Sequence, residues 1–210
     1  MTFTANQELT TSITNLINSI ITFFLLMNVL HLKKEKEGKL LWIITFGLFL
    51  ISSFAGAAVH GIVLNSEVKR TFWIFLNFIL CFTLGAYSLC IFYEVYGYKF
   101  TRKLIPVYCA ICLLVSLYNN FIATGYTRFV VFCIADLLLL MIVLLLNIRK
   151  KPYFIIFILS IIIFIIGSYL QTVKSLNYDF IVSINHDGIY HLFVLVFVLL
   201  NYFVLLKTDR

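Results

Sequence analysis

Three of the four histidines, His60, His186 and His191, fall at the ends of apolar segments that the charge pattern assigns to one membrane face. Imidazole is costly in hydrocarbon and is a common zinc ligand, so three of them near one depth point to a metal centre. His60 closes the run SSFAGAAVHG. Ser53 stands seven residues earlier on nearly the same helix face, and Gly56 between them lets a neighbouring helix or a ligand come close. In NHDGIYHLF, His191 lies about one turn inside an apolar run and His186 lies at its lip.

His186 and His191 are five residues apart, whereas the i to i+4 spacing puts two side chains on one helix face. Two ligands of one ion then require His186 to sit at or before the helix start, with Gly188 permitting an irregular first turn. The i to i+4 pair here is Asp187 with His191. Asp187 is open to three roles: a fourth ligand, a partner that orients an imidazole, or a general base for a metal-bound water. A plainer role is also open, in which His186 and Asp187 cap the helix and oppose its dipole.

The elements that must hold these groups are membrane helices. Of the 210 residues 62% are hydrophobic and only 12% charged, with a mean hydropathy of +1.04, more than a soluble domain needs for its core. A hydrocarbon slab about 30 Å thick takes about 20 apolar residues as helix. Seven such stretches are expected, at 12–32, 40–63, 72–94, 104–121, 127–148, 153–172 and 187–206, forming one all-α domain over 1–210. No alternating β-barrel pattern is present, and MTFTANQELTTS lacks the basic start and small-residue cleavage site of a signal peptide. Pro106 is expected in the first turn of span four and Pro152 in the turn before span six.

Lys33, Lys34, Lys36, Lys39, Lys99, Arg102, Lys103, Arg149, Lys150, Lys151, Lys207 and Arg210 fall on one side. Lys69, Arg70, Arg128 and Lys174 fall on the other. The first side is expected to be cytoplasmic, which puts the N-terminus outside, the C-terminus inside and the histidines near the extracytoplasmic face. The net charge of +7 reflects this asymmetry and does not argue for nucleic acid, which is not expected as a partner, since no basic stripe is interleaved with exposed aromatics. Trp42, Trp73 and Tyr153 read as interfacial aromatics.

The remaining intramembrane polar groups each have a structural and a functional reading. Asp136, midway along span five, is either a proton-relay or ion-binding group or a protonated acid bonded to a neighbour such as Ser116 or Tyr87. Asn77, Gln171 and Asp136 are expected to line the pocket. Asn15 and Asn18 could reach the same pocket or make interhelical hydrogen bonds. Glu8 could reach its mouth or serve helix entry with Thr10, Thr11 and Ser12. Glu94 reads as a solvated ion-pair partner of Lys99 and Arg102. The five cysteines read as small apolar residues.

Seven spans, a Ser and a His near the end of span two, and a histidine cluster opening span seven resemble the CREST superfamily, which includes alkaline ceramidases and the progestin and adipoQ receptors. AGAAVHG with NHDGIYHL is still more similar to small bacterial seven-span proteins related to that superfamily. The resemblance implies zinc held by His60, His186 and His191, Ser53 as a polar partner near the metal, and hydrolysis of a membrane lipid's amide or ester. Three departures stand out. The histidine pair is H-x4-H rather than H-x3-H, and the serine is seven rather than four residues before His60. The superfamily's acid in span three is missing, with Asn77 the polar residue at that depth. An amide cannot take a proton, so Asp187 would have to do so. The alternatives are a non-catalytic lipid-binding or receptor-like protein with a structural metal, and a small carrier built on Asp136.

Overall fold

The computed structural model describes residues 6–122, 126–173, 177–179 and 183–208. Seven helices long and apolar enough to cross a membrane account for most of them. They are α1 (Asn6–His31), α2 (Lys36–Gly61), α3 (Ser66–Tyr96), α4 (Tyr98–Leu117), α5 (Tyr126–Asn147), α6 (Phe154–Thr172) and α7 (His186–Thr208). A π-helical turn, Tyr118–Ile122, extends α4, and a two-stranded antiparallel hairpin, β1 (Asn177–Asp179) and β2 (Ser183–Asn185), lies between α6 and α7. The protein is an all-α multi-pass membrane bundle.

Helix ends differ from the hydropathy boundaries where polar residues continue the helix beyond the apolar stretch. The helix α1 starts at Asn6, six residues before the expected span, and α3 starts at Ser66 behind an Asn65 cap whose side chain accepts the Val68 N–H at 2.8 Å. Only Gly97, at φ +76°, separates α3 from α4. Such a backbone suits glycine alone, and it lets α4 begin at Tyr98. Pro106 is consequently inside α4 and not in its first turn, because the helix begins in the polar residues ahead of the apolar run. Pro152 does lie in the turn before α6.

Contacts run α1 to α2, α2 to α3, α3 to α5, α5 to α6, α6 to α7 and α7 back to α1, closing a ring of six helices. The helix α4 packs on α3 and is the least buried of the seven. Lipid provides no hydrophobic drive between helices, so close packing and small residues set their approach. The α1–α2 contact shows this. A Cβ on Gly56 would collide with Asn15 and one on Gly61 with Ser12, while Ser12 Oγ donates to Ala57 O at 2.7 Å.

The ring's interior is filled from one end by aromatics. Trp42 stacks on Phe157 with ring centroids 6.0 Å apart, and Phe197 meets Tyr87 and Phe164, each at 5.0 Å. Trp42 is 1% exposed, a core residue instead of the expected interfacial one. Glu94 is likewise buried: its Oε1 accepts from Lys34 Nζ at 2.6 Å and from Trp42 Nε1 at 3.2 Å. The expected partners Lys99 and Arg102 lie beyond Gly97, whose turn carries them onto the next helix.

Candidate functional site

At the opposite end the ring is open. A cavity of about 760 Å³ enters between α1, α2, α3, α5, α6 and α7. Its α2 wall runs from His60 to Phe49 and its α7 wall from His186 to Phe197. Both intervals are eleven residues, about 16 Å of helix, so the cavity reaches about half of a hydrocarbon slab. Polar groups gather at the mouth, whereas the depth is lined mostly by Leu80, Leu84, Leu137, Phe164 and Phe197, with Thr83 and Tyr87 among them.

Seven of the eight residues selected from the sequence border this cavity: Ser53, His60, Asn77, Gln171, His186, Asp187 and His191. Asp136 is not among them. It sits behind the wall, where Ser88 Oγ on α3 donates to its Oδ2 at 2.5 Å and Tyr108 OH on α4 to its Oδ1 at 3.0 Å. Its flanking residues Cys133 and Leu137 face the cavity instead. Its partners are thus not the expected Ser116 or Tyr87.

The imidazoles are held by neighbours from different helices. His60 Nδ1 is 2.6 Å from Glu8 Oε2, and its ring meets Trp73 edge-on at 5.6 Å. His191 Nε2 is 2.7 Å from Asn15 Nδ2, and the His191 carbonyl accepts from Asn18 Nδ2 at 2.8 Å. The Asn15 amide also donates to Thr11 O, which orients its NH₂ toward the ring, so that Nε2 is the acceptor in this pair. The His60 and His191 ring centroids are 6.4 Å apart.

His186 is the first residue of α7, the position that sharing one ion with His191 would need, but the cap is Asn185. Its Oδ1 accepts from Gly188 N at 2.9 Å and from Thr11 Oγ1 at 2.8 Å, tying the start of α7 to α1. That relieves His186 and Asp187 of the capping role. Asp187 accepts from Gln171 Nε2 at 2.9 Å through Oδ1 and lies 3.5 Å from His186 Nε2 through Oδ2. Asn77 is 2.8 Å from Asn120 on the π-helical turn, and it donates to the Asn120 Oδ1. The cavity wall on α3 therefore carries an engaged amide at this depth.

Two features fit a zinc ion. The donor set is right in kind, with three imidazoles and the carboxylates of Glu8 and Asp187 around one cavity. In addition, the buried Nδ1 of His186 has no hydrogen-bond partner among the described residues, an unusual condition for a buried polar nitrogen. The donors are engaged pairwise, and no three His, Cys, Asp or Glu side chains among the described residues are grouped around one point.

Sequence alone leaves the role of the acid on α1 undecided. Glu8 is 52 residues from His60, and only the α1–α2 packing shows that it faces the imidazole and not its own helix. A protein family of unknown function, DUF6962, matches residues 10–209, and the chain belongs to it. No curated protein and no solved structure matches.

Proposed function

We propose that this member of the DUF6962 family is a zinc-dependent integral-membrane hydrolase of a lipid amide or ester. Its N-terminus would lie outside, its C-terminus in the cytoplasm and its site near the extracytoplasmic face. The observation that carries this reading is one cavity, polar and rich in imidazole and carboxylate at its mouth and mostly apolar below. A lipid lying in it would place its polar linkage among the histidines and its chain against Leu80, Leu84 and Phe197. The orientation is supported by the loops that carry most cations: Lys34 after α1 and Lys151 before α6 both reach Glu94 at the far end of α3.

His60, His186 and His191 would hold the ion, with His191 exchanging its Asn15 hydrogen bond for the metal. Zinc supplies polarisation of a carbonyl and a water that ionises near neutral pH. The chain's own groups do the rest. Asp187 takes the water's proton at a carboxylate oxygen and returns it to the leaving group, while Gln171 holds the other oxygen in place. Ser53 donates its hydroxyl to the developing oxyanion from the α2 wall. The apolar depth excludes water from the chain.

Metal analysis of the purified protein tests this directly. Near-stoichiometric zinc, lost in His60→Ala and His191→Ala, is expected together with hydrolysis of at least one member of a panel of lipid amides and esters. Zinc absent from the wild-type protein, or unchanged in both variants, would sink the reading. A second reading, a non-catalytic lipid-binding or receptor-like protein with a structural metal, is favoured by the amide of Asn77 where α3 would need an acid. Bound zinc and bound lipid with no turnover across the panel would select it.

A further inference from the structure

We infer that Glu8 is the positioning residue of the His60 imidazole, which brings α1 into the metal centre; the inference rests on the zinc reading of the cavity. A carboxylate can only accept, so at 2.6 Å the Glu8 Oε2 fixes the proton of His60 on Nδ1. The lone pair then belongs to Nε2, on the opposite edge of the ring. This is how a carboxylate commonly prepares a histidine for a metal: it selects the tautomer, fixes the ring plane and raises the basicity of the ligating nitrogen.

The packing around the pair enforces the geometry. Trp73 meets the ring edge-on from α3, and His191 lies across the cavity with its centroid 6.4 Å away. The glycines at 56 and 61 let α1 descend against α2, so that Asn15, Ser12 and Glu8 meet Gly56, Gly61 and His60 in antiparallel register. The neighbours of Glu8 tie α1 to other elements: the Thr11 hydroxyl lies 2.8 Å from the accepting Asn185 Oδ1, and Ser12 Oγ donates to Ala57 O at 2.7 Å. Glu8 itself reaches a residue 52 positions away.

The pair also answers the departure on α3. With Asn77 engaged by Asn120, no carboxylate from α3 approaches the histidines among the described residues. One from α1 does. Glu8 acts through His60, whereas Asp187 is the acid assigned to the water.

The test is a zinc titration of metal-stripped protein in detergent micelles against a competing chelator, with unfolding midpoints as a check on folding. His60→Ala should abolish tight binding. Glu8→Ala should weaken it by about 10–100-fold, the range for loss of such a partner. Glu8→Gln keeps size and an acceptor oxygen but loses the charge, so it should weaken binding less, and it covers the case in which Glu8→Ala does not fold. The nitrogen resonances of labelled His60 give a readout that a merely structural role would not move: a single Nδ1–H tautomer in the metal-free wild type, and a mixture in Glu8→Ala. Zinc binding lost in His60→Ala but unchanged in both Glu8 variants would overturn the role of Glu8. Binding unchanged in His60→Ala as well would overturn the zinc reading beneath it.

Discussion

The two ends of the bundle each hold a carboxylate against a basic side chain, under opposite conditions. Glu94 and Lys34 are sealed, with side chains 5% and 9% exposed, roofed by Trp42 and adjoined by Lys151, whose Nζ donates to the Glu94 carbonyl. Glu8 and His60 are 43% and 12% exposed and border an open cavity. The sealed pair joins the α1–α2 connection, α3 and the start of α6, while the aromatic stack beneath it fills the ring. The open pair has no plug below it, and its imidazole stands beside a second one. A buried ion pair with every partner in place fastens helices together. A half-open one beside empty volume leaves its groups accessible to a ligand.

That contrast can be broken most forcefully at the sealed end. Glu94→Ala strands the Lys34 ammonium and the Trp42 N–H in a buried site, and loss of one partner of such a pair costs about 3–5 kcal/mol. A large fall in the unfolding midpoint is expected, with zinc content per folded molecule unchanged. A small fall would show that the pair is solvated and the contrast false. Gly56→Val comes next: the added bulk meets Asn15, and overpacking of this kind costs about 1–3 kcal/mol. Because the α1–α2 register carries both Glu8 and Asn15 to the histidines, this variant should lose stability and zinc affinity together. Retained affinity would mean that the histidines do not depend on α1.

Asp136 sharpens the comparison from a third place. Asp136→Leu takes the acceptor from the buried Tyr108 hydroxyl, while Ser88 keeps the Leu84 carbonyl at 3.0 Å, a loss of about 1–3 kcal/mol. Asp136→Asn, which keeps an acceptor oxygen, should lose less, and on the proposed zinc reading neither substitution should change zinc binding. Abolished function in Asp136→Asn, with the histidines dispensable, would instead revive a carrier built on this residue. The smallest stability effect is expected for Glu8→Gln. Half-exposed pairs contribute about 0–1 kcal/mol, so its unfolding midpoint should barely move while its zinc affinity falls.

The cavity residues were legible because burying polar groups in a membrane is expensive, and a histidine, serine or glutamine near the end of an apolar run is conspicuous for that reason. Seven of the eight selected residues border one cavity on these grounds. Asp136 carried the same signal but serves a hydrogen-bonded junction of α3, α4 and α5, since cost alone does not distinguish a site from a satisfied contact. Glu8 and Asn15 were weaker signals. An acid ahead of Thr10, Thr11 and Ser12 looks like helix-entry chemistry, and an asparagine in a span looks like interhelical glue. Glu94 was assigned to its sequence neighbours because nothing local announces that Gly97 turns the chain away from it.

Class, span number and the segregation of cations to one set of loops follow from composition and periodicity, because the hydrocarbon slab demands long apolar helices of a set length and charge bias in short loops orients them. Those are local properties, readable in any window of the chain. The pairings are not. Glu8 on His60, Asn15 on His191, Asn185 on Thr11 and Lys34 on Glu94 join residues from 52 to 176 positions apart. The first three exist because glycines at 56 and 61 allow α1 close to α2 while α7 closes the ring against α1, and the fourth because the α1–α2 connection reaches the end of α3. Which end of the ring stays open is a matter of packed volume, and only the assembled helices decide it.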